Sequence, residues 1–558
     1  MSADRRREPP IHADGRGRIC VYRRPSAVSL LCIGGFLVVA GLSAVQALEI
    51  PKPTYSLNFG ANGEINGASD STRLRKPPYL YTFALDGSLS WWVFSAGLNL
   101  LYNSDDKFTA QKVHRIDFSP SWKWGRIYLG DYAPALSEFT LSGVPLYGAG
   151  IELYPQSFRF AAVYGQSRRA SSDSTAFAYR RTIYGGRIGT EWVSLIVLRA
   201  ADDTLSNRMD DSVPVAPQEN LVASLATDCQ PAKDLSLVLE AAGSLHTRDL
   251  RSDTIWAKEI PIQVYQVFMP RWSTRADYAL KGSIKYSPRP FSAGIEFAQV
   301  GPGYTSLGVS FLKNDYRYGK LLLGLRAIPK TEINLTGEMG WDNIVNDKLA
   351  TTETRALGAA FRVAPVSQVN LAANYDLRSQ NKNTASDSFN VNSLTQTLAV
   401  MPNFNVQFWG VSQSFNLMAT YLDFRNRTPL SGTPPSRTLT LGLNYALTPK
   451  LPITFASGIS RTINLSDSAQ AVPEYYQNLS LTANKGFFNE KLQNSLTFSY
   501  QPSSLGQNLA LYGTHAFSLT ARDVFNLSWN LNYFITAQTG QSSFLGQRAA
   551  LSFNRRVF

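Results

Sequence analysis

The chain has 558 residues and a mass of 61.6 kDa, with 44% hydrophobic, 12% aromatic and only 17% charged residues. The mean hydropathy of −0.15 excludes a helical membrane protein, and the apolar content is too high for a disordered chain. So low a charged fraction is also unusual for a soluble protein of this size.

The first 47 residues have the three parts of a secretory signal peptide. An arginine-rich region precedes an apolar stretch from Ala27 to about Leu42, and Val45-Gln46-Ala47 then offers small residues where signal peptidase reads them. We expect cleavage after Ala47; the alternative is an uncleaved transmembrane anchor. Seven of the 54 basic and three of the 41 acidic residues precede residue 48, which leaves a formal charge of +9 on residues 48–558. Without a dense Lys/Arg block, that charge gives no case for nucleic acid as a partner.

Beyond residue 48, apolar and polar residues alternate in segments of about ten residues, the length of a tilted transmembrane strand. Clear examples are 235–246, 369–378, 438–447 and 525–533. The polar positions are mostly Asn, Ser, Thr and Gly rather than Lys and Glu, as suits a wet lumen. Tyr445, Tyr500 and Tyr533 stand near segment ends, where an aromatic girdle would fall. A secreted soluble β-protein is the alternative.

Short turns alternate with long loops along residues 48–558, which is typical of outer-membrane barrels. The pattern predicts one all-β antiparallel transmembrane barrel of about 26 strands, with 22 or 24 also open, and with both ends in the periplasm. Gly301–Lys320 is assigned as one long external segment. We expect the protein in the bacterial outer membrane, in contact with lipid and lipopolysaccharide. The terminal Phe558 resembles the signal that the barrel-assembly machinery reads during insertion.

A barrel of 26 strands closes at roughly 50 Å across, too wide to stay open in an outer membrane. No globular plug precedes the first predicted strand, so we expect a loop, or a partner, to fill the lumen. Asp202–Gln218 and Gly301–Lys320 are secondary candidates. Thr247–Trp272 is the best candidate, because it is long and carries apolar residues that a solvated loop would not need. These are Ile260, Ile262, Val264, Phe268 and Trp272. The alternative is a hairpin that extends the barrel wall.

Four arginines lie in or beside one predicted external loop and could hold lipopolysaccharide phosphates, or simply solubilise the rim. They are Arg168, Arg169, Arg180 and Arg181. Nearby, Asp202 and Asp203 favour a solvated acidic loop over a calcium site. No Cys/His spacing predicts a metal or other cofactor. The histidines after residue 47 are His114, His246 and His515, and only His246 could meet a nearby carboxylate, Asp249, so we predict no enzymatic activity.

Two loop motifs resemble loops of large, uncharacterised outer-membrane barrels of the Bacteroidota–Chlorobiota type. The first is G-D-Y-A-P-A-L-S-E-F-T-L-S-G, and the second is P-G-Y-T-S-L-G followed by Asn314-Asp315. The marker residues are Gly130, Asp131, Pro134, Gly143, Pro302, Gly303 and Gly308. The resemblance implies membership of such a family rather than an activity.

Three functions remain open at this point. The first is a passive or gated pore that transports solutes, with the basic net charge leaning toward anions. The second is a structural or assembly barrel, associated with secretion and working with a periplasmic or secreted partner protein. The third is an outer-membrane barrel enzyme. We favour the pore, by analogy with other barrels rather than from any site.

Overall fold

The computed structural model describes residues 52–69, 77–104, 114–172, 177–207, 215–256, 262–382, 384, 390–428, 435–448, 453–464, 475–504, 506–536 and 543–557. The predicted cleavage site at Ala47 and the predicted insertion signal at Phe558 lie outside these residues. In this part of the chain, no helix is long and apolar enough to cross a membrane.

Twenty-six antiparallel strands form one closed sheet, in which consecutive strands pair and β1 also pairs with β26. The strands are β1 (Thr54–Ala68), β2 (Tyr79–Trp91), β3 (Phe94–Asn103), β4 (Arg115–Trp122), β5 (Gly125–Tyr132), β6 (Leu146–Leu153), β7 (Phe158–Arg168), β8 (Arg180–Thr190), β9 (Ser194–Asp203), β10 (Glu219–Ala232), β11 (Leu235–Thr247), β12 (Thr274–Tyr286), β13 (Phe291–Val300), β14 (Tyr316–Leu325), β15 (Thr331–Asp342), β16 (Glu353–Val366), β17 (Val369–Lys382), β18 (Val391–Phe408), β19 (Val411–Asn426), β20 (Ser436–Thr448), β21 (Ile453–Asn464), β22 (Tyr475–Phe487), β23 (Leu492–Ser503), β24 (Gly506–Ser518), β25 (Asp523–Thr536) and β26 (Phe544–Arg556). A short helix, α1, covers Ile262–Val267. The predicted all-β barrel is confirmed, with 26 strands.

Side chains alternate between the outside and the lumen along every strand, because successive residues of a strand point to opposite faces. In β13, the large apolar side chains of Ile295 and Phe297 are 66% and 46% exposed, and Glu296 between them points the other way. In β14, Leu321 and Leu323 are likewise exposed on the outside, and Lys320 faces inward. The outer surface is therefore an apolar belt, as a barrel in a bilayer requires.

The two rims of the barrel differ in their connections. At one rim, the turn rim, β1 begins, β26 ends and several hairpins close with two residues, as at 92–93, 233–234 and 409–410. Trp409 and Gly410 both have positive φ angles, 52° and 72°, which suits a two-residue hairpin turn. At the opposite rim, the loop rim, connections such as 133–145, 248–273 and 301–315 are long. The segment predicted as 301–320 is shorter than expected, because β14 already begins at Tyr316.

One sector of the lumen wall is apolar rather than polar. From β6 to β13, which we call the covered wall, many inward side chains are almost completely buried. They include Leu146, Ala161, Val163, Ile183, Ile196, Leu198, Ala200, Val222, Ala242, Ala279, Ala298 and Val300. The expectation of a polar inner face is therefore wrong for this sector. Because its inward side chains are buried, other residues of the chain must pack against the covered wall.

Candidate functional site

Two loops of the loop rim fold into the barrel and pack against the covered wall. Inner segment A is residues 133–145, between β5 and β6, and inner segment B is residues 301–315, between β13 and β14. Leu136 and Leu141 of segment A pack on inward residues of β6 to β9, with Leu307 of segment B beside them. Phe139 and Tyr304 pack on inward residues of β10 to β13. The two segments therefore fill part of the lumen.

The inner segments also bind each other, although they are more than 150 residues apart in the sequence. Ser142 and Val309 form a parallel β-bridge, in which the Ser142 amide donates to the Gly308 carbonyl over 2.9 Å. The Tyr304 hydroxyl donates to the Phe139 carbonyl over 2.9 Å, and the Tyr304 ring meets the Phe139 ring edge-on. Because the backbones are joined directly, segments A and B form one unit.

Polar side chains of the covered wall fix that unit in place. Asn220 of β10 donates to the Thr305 carbonyl over 2.9 Å and accepts from the Leu307 amide over 3.0 Å. Ser244 of β11 donates to the same Thr305 carbonyl, and Asp277 of β12 accepts from the Gly303 amide over 2.7 Å. These bonds satisfy backbone groups that would otherwise be buried without partners.

Two of the motif glycines, Gly130 and Gly308, stand where a side chain would not fit. Gly130 has a φ of +95°, and a Cβ there would lie 1.8 Å from the Ile116 carbonyl oxygen. A Cβ on Gly308 would lie 2.5 Å from both the Thr140 carbonyl oxygen and a methyl group of Leu198, so glycine allows segment B to touch both segment A and the wall.

The remaining motif residues belong to the same assembly. Asp131 accepts from the Ile116 amide over 2.8 Å, and the Pro302 carbonyl accepts from Asn314 over 3.2 Å. Pro134 and Gly143 lie in segment A, and Gly143 has a φ of +71°. The two loop motifs are thus two halves of one structure, which their spacing in the sequence does not indicate.

A row of charged side chains crosses the lumen wall beside the inner segments. We call Glu138, Lys281, Glu296, Lys320 and Glu338 the charged row; the first belongs to segment A and the others face inward from β12 to β15. Lys281 binds Glu138 at 2.5 Å and lies 3.9 Å from Glu296. Lys320 pairs in register with Glu296 and Glu338, and its ammonium lies 4.0 Å from the Glu338 carboxylate. The signs alternate along the row.

Elsewhere the wall is polar, with many Asn, Ser and Thr side chains and separate charged groups such as the Glu64–Arg548 pair, at 2.7 Å. Inward hydroxyls bond across neighbouring strands, as in Thr440–Thr462 at 2.8 Å and Thr482–Thr497 at 2.9 Å. Asn416 and Asn444 also face inward, opposite each other on β19 and β20. This wall is what a water-filled lumen requires.

The loop predicted to plug the lumen is described only at its two ends. Its ends pair as a hairpin, through a bridge between Thr254 and Arg271. Trp272 is 76% exposed and Phe268 is buried. Ile260 and the side chains of Ile262 and Val264 lie outside the described residues, so their role in a plug stays a prediction.

The four arginines predicted to contact lipopolysaccharide separate into two groups. Arg168 and Arg181 both bind Asp202, whose side chain is fully buried, with the shortest contact 2.7 Å from Arg181 Nε. Arg180 is the neighbour of Arg181 in β8, so its side chain points to the opposite, outer face. There it pairs with Asp203. Arg169 follows β7 at the same rim. Phosphate binding by these four arginines remains a prediction.

The three histidines predicted from the sequence lie far apart on β11, β24 and the segment before β4. His114 accepts from the Asn103 amide over 3.1 Å, and His515 lies between Asn494 and Trp529. His246 faces the lumen, and the Asp249 carboxylate instead accepts from Arg251 over 2.7 Å. Among the described residues, no group of three or more His, Cys, Asp or Glu side chains could hold a metal ion.

Asp315 fastens the end of segment B to the β15–β16 loop. Its carboxylate pairs with Lys348 and accepts from the Ile344 amide over 2.8 Å. Burial acts to raise the pKa of Asp315, but Lys348 and the amides of Ile344 and Asn343 lower it by more, so the pKa lies below its ordinary 3.8. A depressed carboxyl pKa stabilises the folded loops fully above that ordinary value, and this stabilisation is lost as the pH falls through the folded-state pKa.

We therefore expect pepsin to cleave the loop rim faster, relative to an unfolded substrate, as the pH falls from about 4 to about 2. Asp315→Asn should be cleaved quickly at both pH values. Equal pH dependence in the two proteins would show that Asp315 does not hold the loops.

Comparison with known proteins gives structural similarity only. No family model and no curated protein matches the chain. OccK11 (OpdR) of Pseudomonas aeruginosa aligns over 91% of this chain and 96% of its own, at 9% identity and a TM-score of 0.28. BauA, the ferric preacinetobactin receptor of Acinetobacter baumannii, aligns over 90% and 80%, at 10% identity and a TM-score of 0.36.

The translocation pore of the P pilus usher, PapC, aligns over 90% of this chain and 99% of its own, at 8% identity and a TM-score of 0.27. At such identities and scores, no solute, cargo or partner carries over from these proteins. The outer-membrane type of barrel is established by this chain's own closed strand pairing and its apolar outer belt.

Proposed function

We propose that this protein is an outer-membrane pore for small hydrophilic solutes, narrowed by the inner segments. The observation that supports this most directly is the polar wall outside the covered sector, where Asn, Ser and Thr side chains line the lumen. A barrel with a dry or completely filled interior would not need that wall. The inner segments reduce a lumen that would otherwise be far wider than that of a porin.

Planar-bilayer recording of refolded residues 48–558 tests the pore. We expect stable single-channel steps at neutral pH, smaller than a fully open barrel of this width would give. Complete silence from the intact protein and from a variant with a shortened segment A would contradict a pore. Silence from the intact protein alone would show that the inner segments close it.

A scaffold that binds a partner protein is the second candidate, and exposed apolar side chains at the loop rim favour it. Trp256 stacks on Tyr265 and is exposed, and Phe311, in segment B, is 85% exposed. A photo-crosslinking residue placed at Phe311 in cells should give one defined protein adduct if this surface binds a partner. The scaffold becomes the preferred function only if neither the intact protein nor the variant with a shortened segment A conducts in bilayers.

The membrane setting of the pore is part of the same proposal. We place the barrel in the outer membrane after cleavage at Ala47 and insertion by the barrel-assembly machinery, which would read Phe558. Outward charged residues near the loop rim support contact with lipopolysaccharide. Arg425 and Arg437 lie on the outer face of β19 and β20 around Asp423, at 2.8 and 3.5 Å, in addition to Arg180.

A further inference from the structure

The charged row differs from an ordinary set of surface ion pairs. Its members come from four adjacent strands and one inner segment, and their signs alternate at every step. Two of its pairs are loose, at 3.9 and 4.0 Å, and the Lys320 and Glu338 side chains keep 34% and 31% of their surface exposed. A solute in the lumen can therefore reach these charges and replace one partner of a pair.

The order of charges disfavours solutes of a single sign. An anion that approaches Lys320 also meets Glu296 and Glu338, which stand opposite it on the two neighbouring strands. A cation that approaches either glutamate meets Lys320 in the same way. The row thus gives anions no advantage, in contrast with the preference that the net charge of the chain suggests.

We propose that the charged row is a selectivity site for small zwitterions, which carry an amine and a carboxylate on one short chain. The inference rests on the proposed pore function. Neighbouring strands are about 4.8 Å apart, so opposite charges of the row recur at about that spacing. An extended 4-aminobutyrate holds its two charged groups about 5 Å apart, so it can meet a lysine and a glutamate of adjacent strands together.

Swelling of proteoliposomes measures this selectivity. The intact protein, as residues 48–558, should admit 4-aminobutyrate about two- to fivefold faster than erythritol, a neutral polyol of similar size, because exposed ion pairs are individually weak. The double variant Lys320→Gln/Glu338→Gln keeps the net charge and should bring the ratio of the two rates close to one. Glu338→Gln alone should lower the ratio partway.

The control is Arg326→Gln/Glu332→Gln, which removes an equal and opposite pair at the turn rim, where the two groups lie 2.6 Å apart. It should keep the ratio of the intact protein. Heat-modifiable mobility on gels confirms that each variant has folded. Equal entry of both solutes through the intact protein would overturn the selectivity site and leave the pore standing. No swelling with either solute would overturn the pore as well.

Discussion

Replacement of residues 135–142 by a short Gly-Ser turn is expected to raise the single-channel conductance at least about twofold, because 26 strands enclose more than a porin lumen. The change removes Leu136, Phe139 and Leu141, and it removes the partner that segment B needs for its β-bridge. The lumen space of segment A should then open, and segment B should become mobile although its bonds to Asn220, Ser244 and Asp277 remain, so the steps should become larger and noisier. Bilayer recording of the refolded variant measures the effect.

Shortening of residues 250–271 is the matched control, since that loop is the plug that the sequence favoured. It should leave the conductance within experimental scatter, because its described ends form a hairpin with an exposed Trp272. A large opening in this control and none in the segment A variant would reverse the assignment of the plug.

Asp202→Asn is expected to lower the free energy of unfolding by about 3 kcal/mol, because it leaves the largely buried Arg181 and the partly exposed Arg168 without their counter-charge. The Asp202 side chain is fully buried between Arg168 and Arg181 and also accepts from the Gln218 amide over 3.0 Å. An amide keeps the shape of the carboxylate but not its charge. Urea unfolding of the refolded barrel in lipid vesicles, followed by tryptophan fluorescence, measures the loss.

Asp203→Asn provides the comparison one residue further along β9. Asp203 faces outward and pairs with Arg180, and both side chains are partly exposed, so the cost should stay below about 1 kcal/mol. Equal losses in the two variants would mean that burial of the Asp202 cluster contributes nothing to stability.

The barrel could be predicted because its main signal is local. Strand length, alternation and the difference between short and long connections all follow from a sheet with one face in lipid and one in water. The alternation in 235–246 predicts the strand that the structure has as β11, and the predicted count of about 26 strands is confirmed.

The inner segments could not be predicted in the same way, because they depend on contacts between distant parts of the chain. One signal was available: Ser194–Ala201 reads S-L-I-V-L-R-A-A and is apolar on both faces, as a strand covered on both sides should be. In β11 to β13 several of the buried apolar residues that face inward are small, such as Ala242, Ala279 and Ala298, and look like an ordinary lumen wall. The pairing of Ser142 with Val309 has no counterpart in local periodicity.

The distance in sequence between the inner segments has a consequence for biogenesis. Bringing Phe139 and Tyr304 together closes a loop of 165 residues. The chain loses the conformational entropy of that loop before the contacts between the two residues can offset the loss. Strands β10 to β13 leave the translocation channel before segment B does, and until Tyr304 covers them their inner apolar residues are exposed and prone to aggregation. The protein should therefore depend on periplasmic holdase chaperones more strongly than barrels whose lumen-facing residues are all polar.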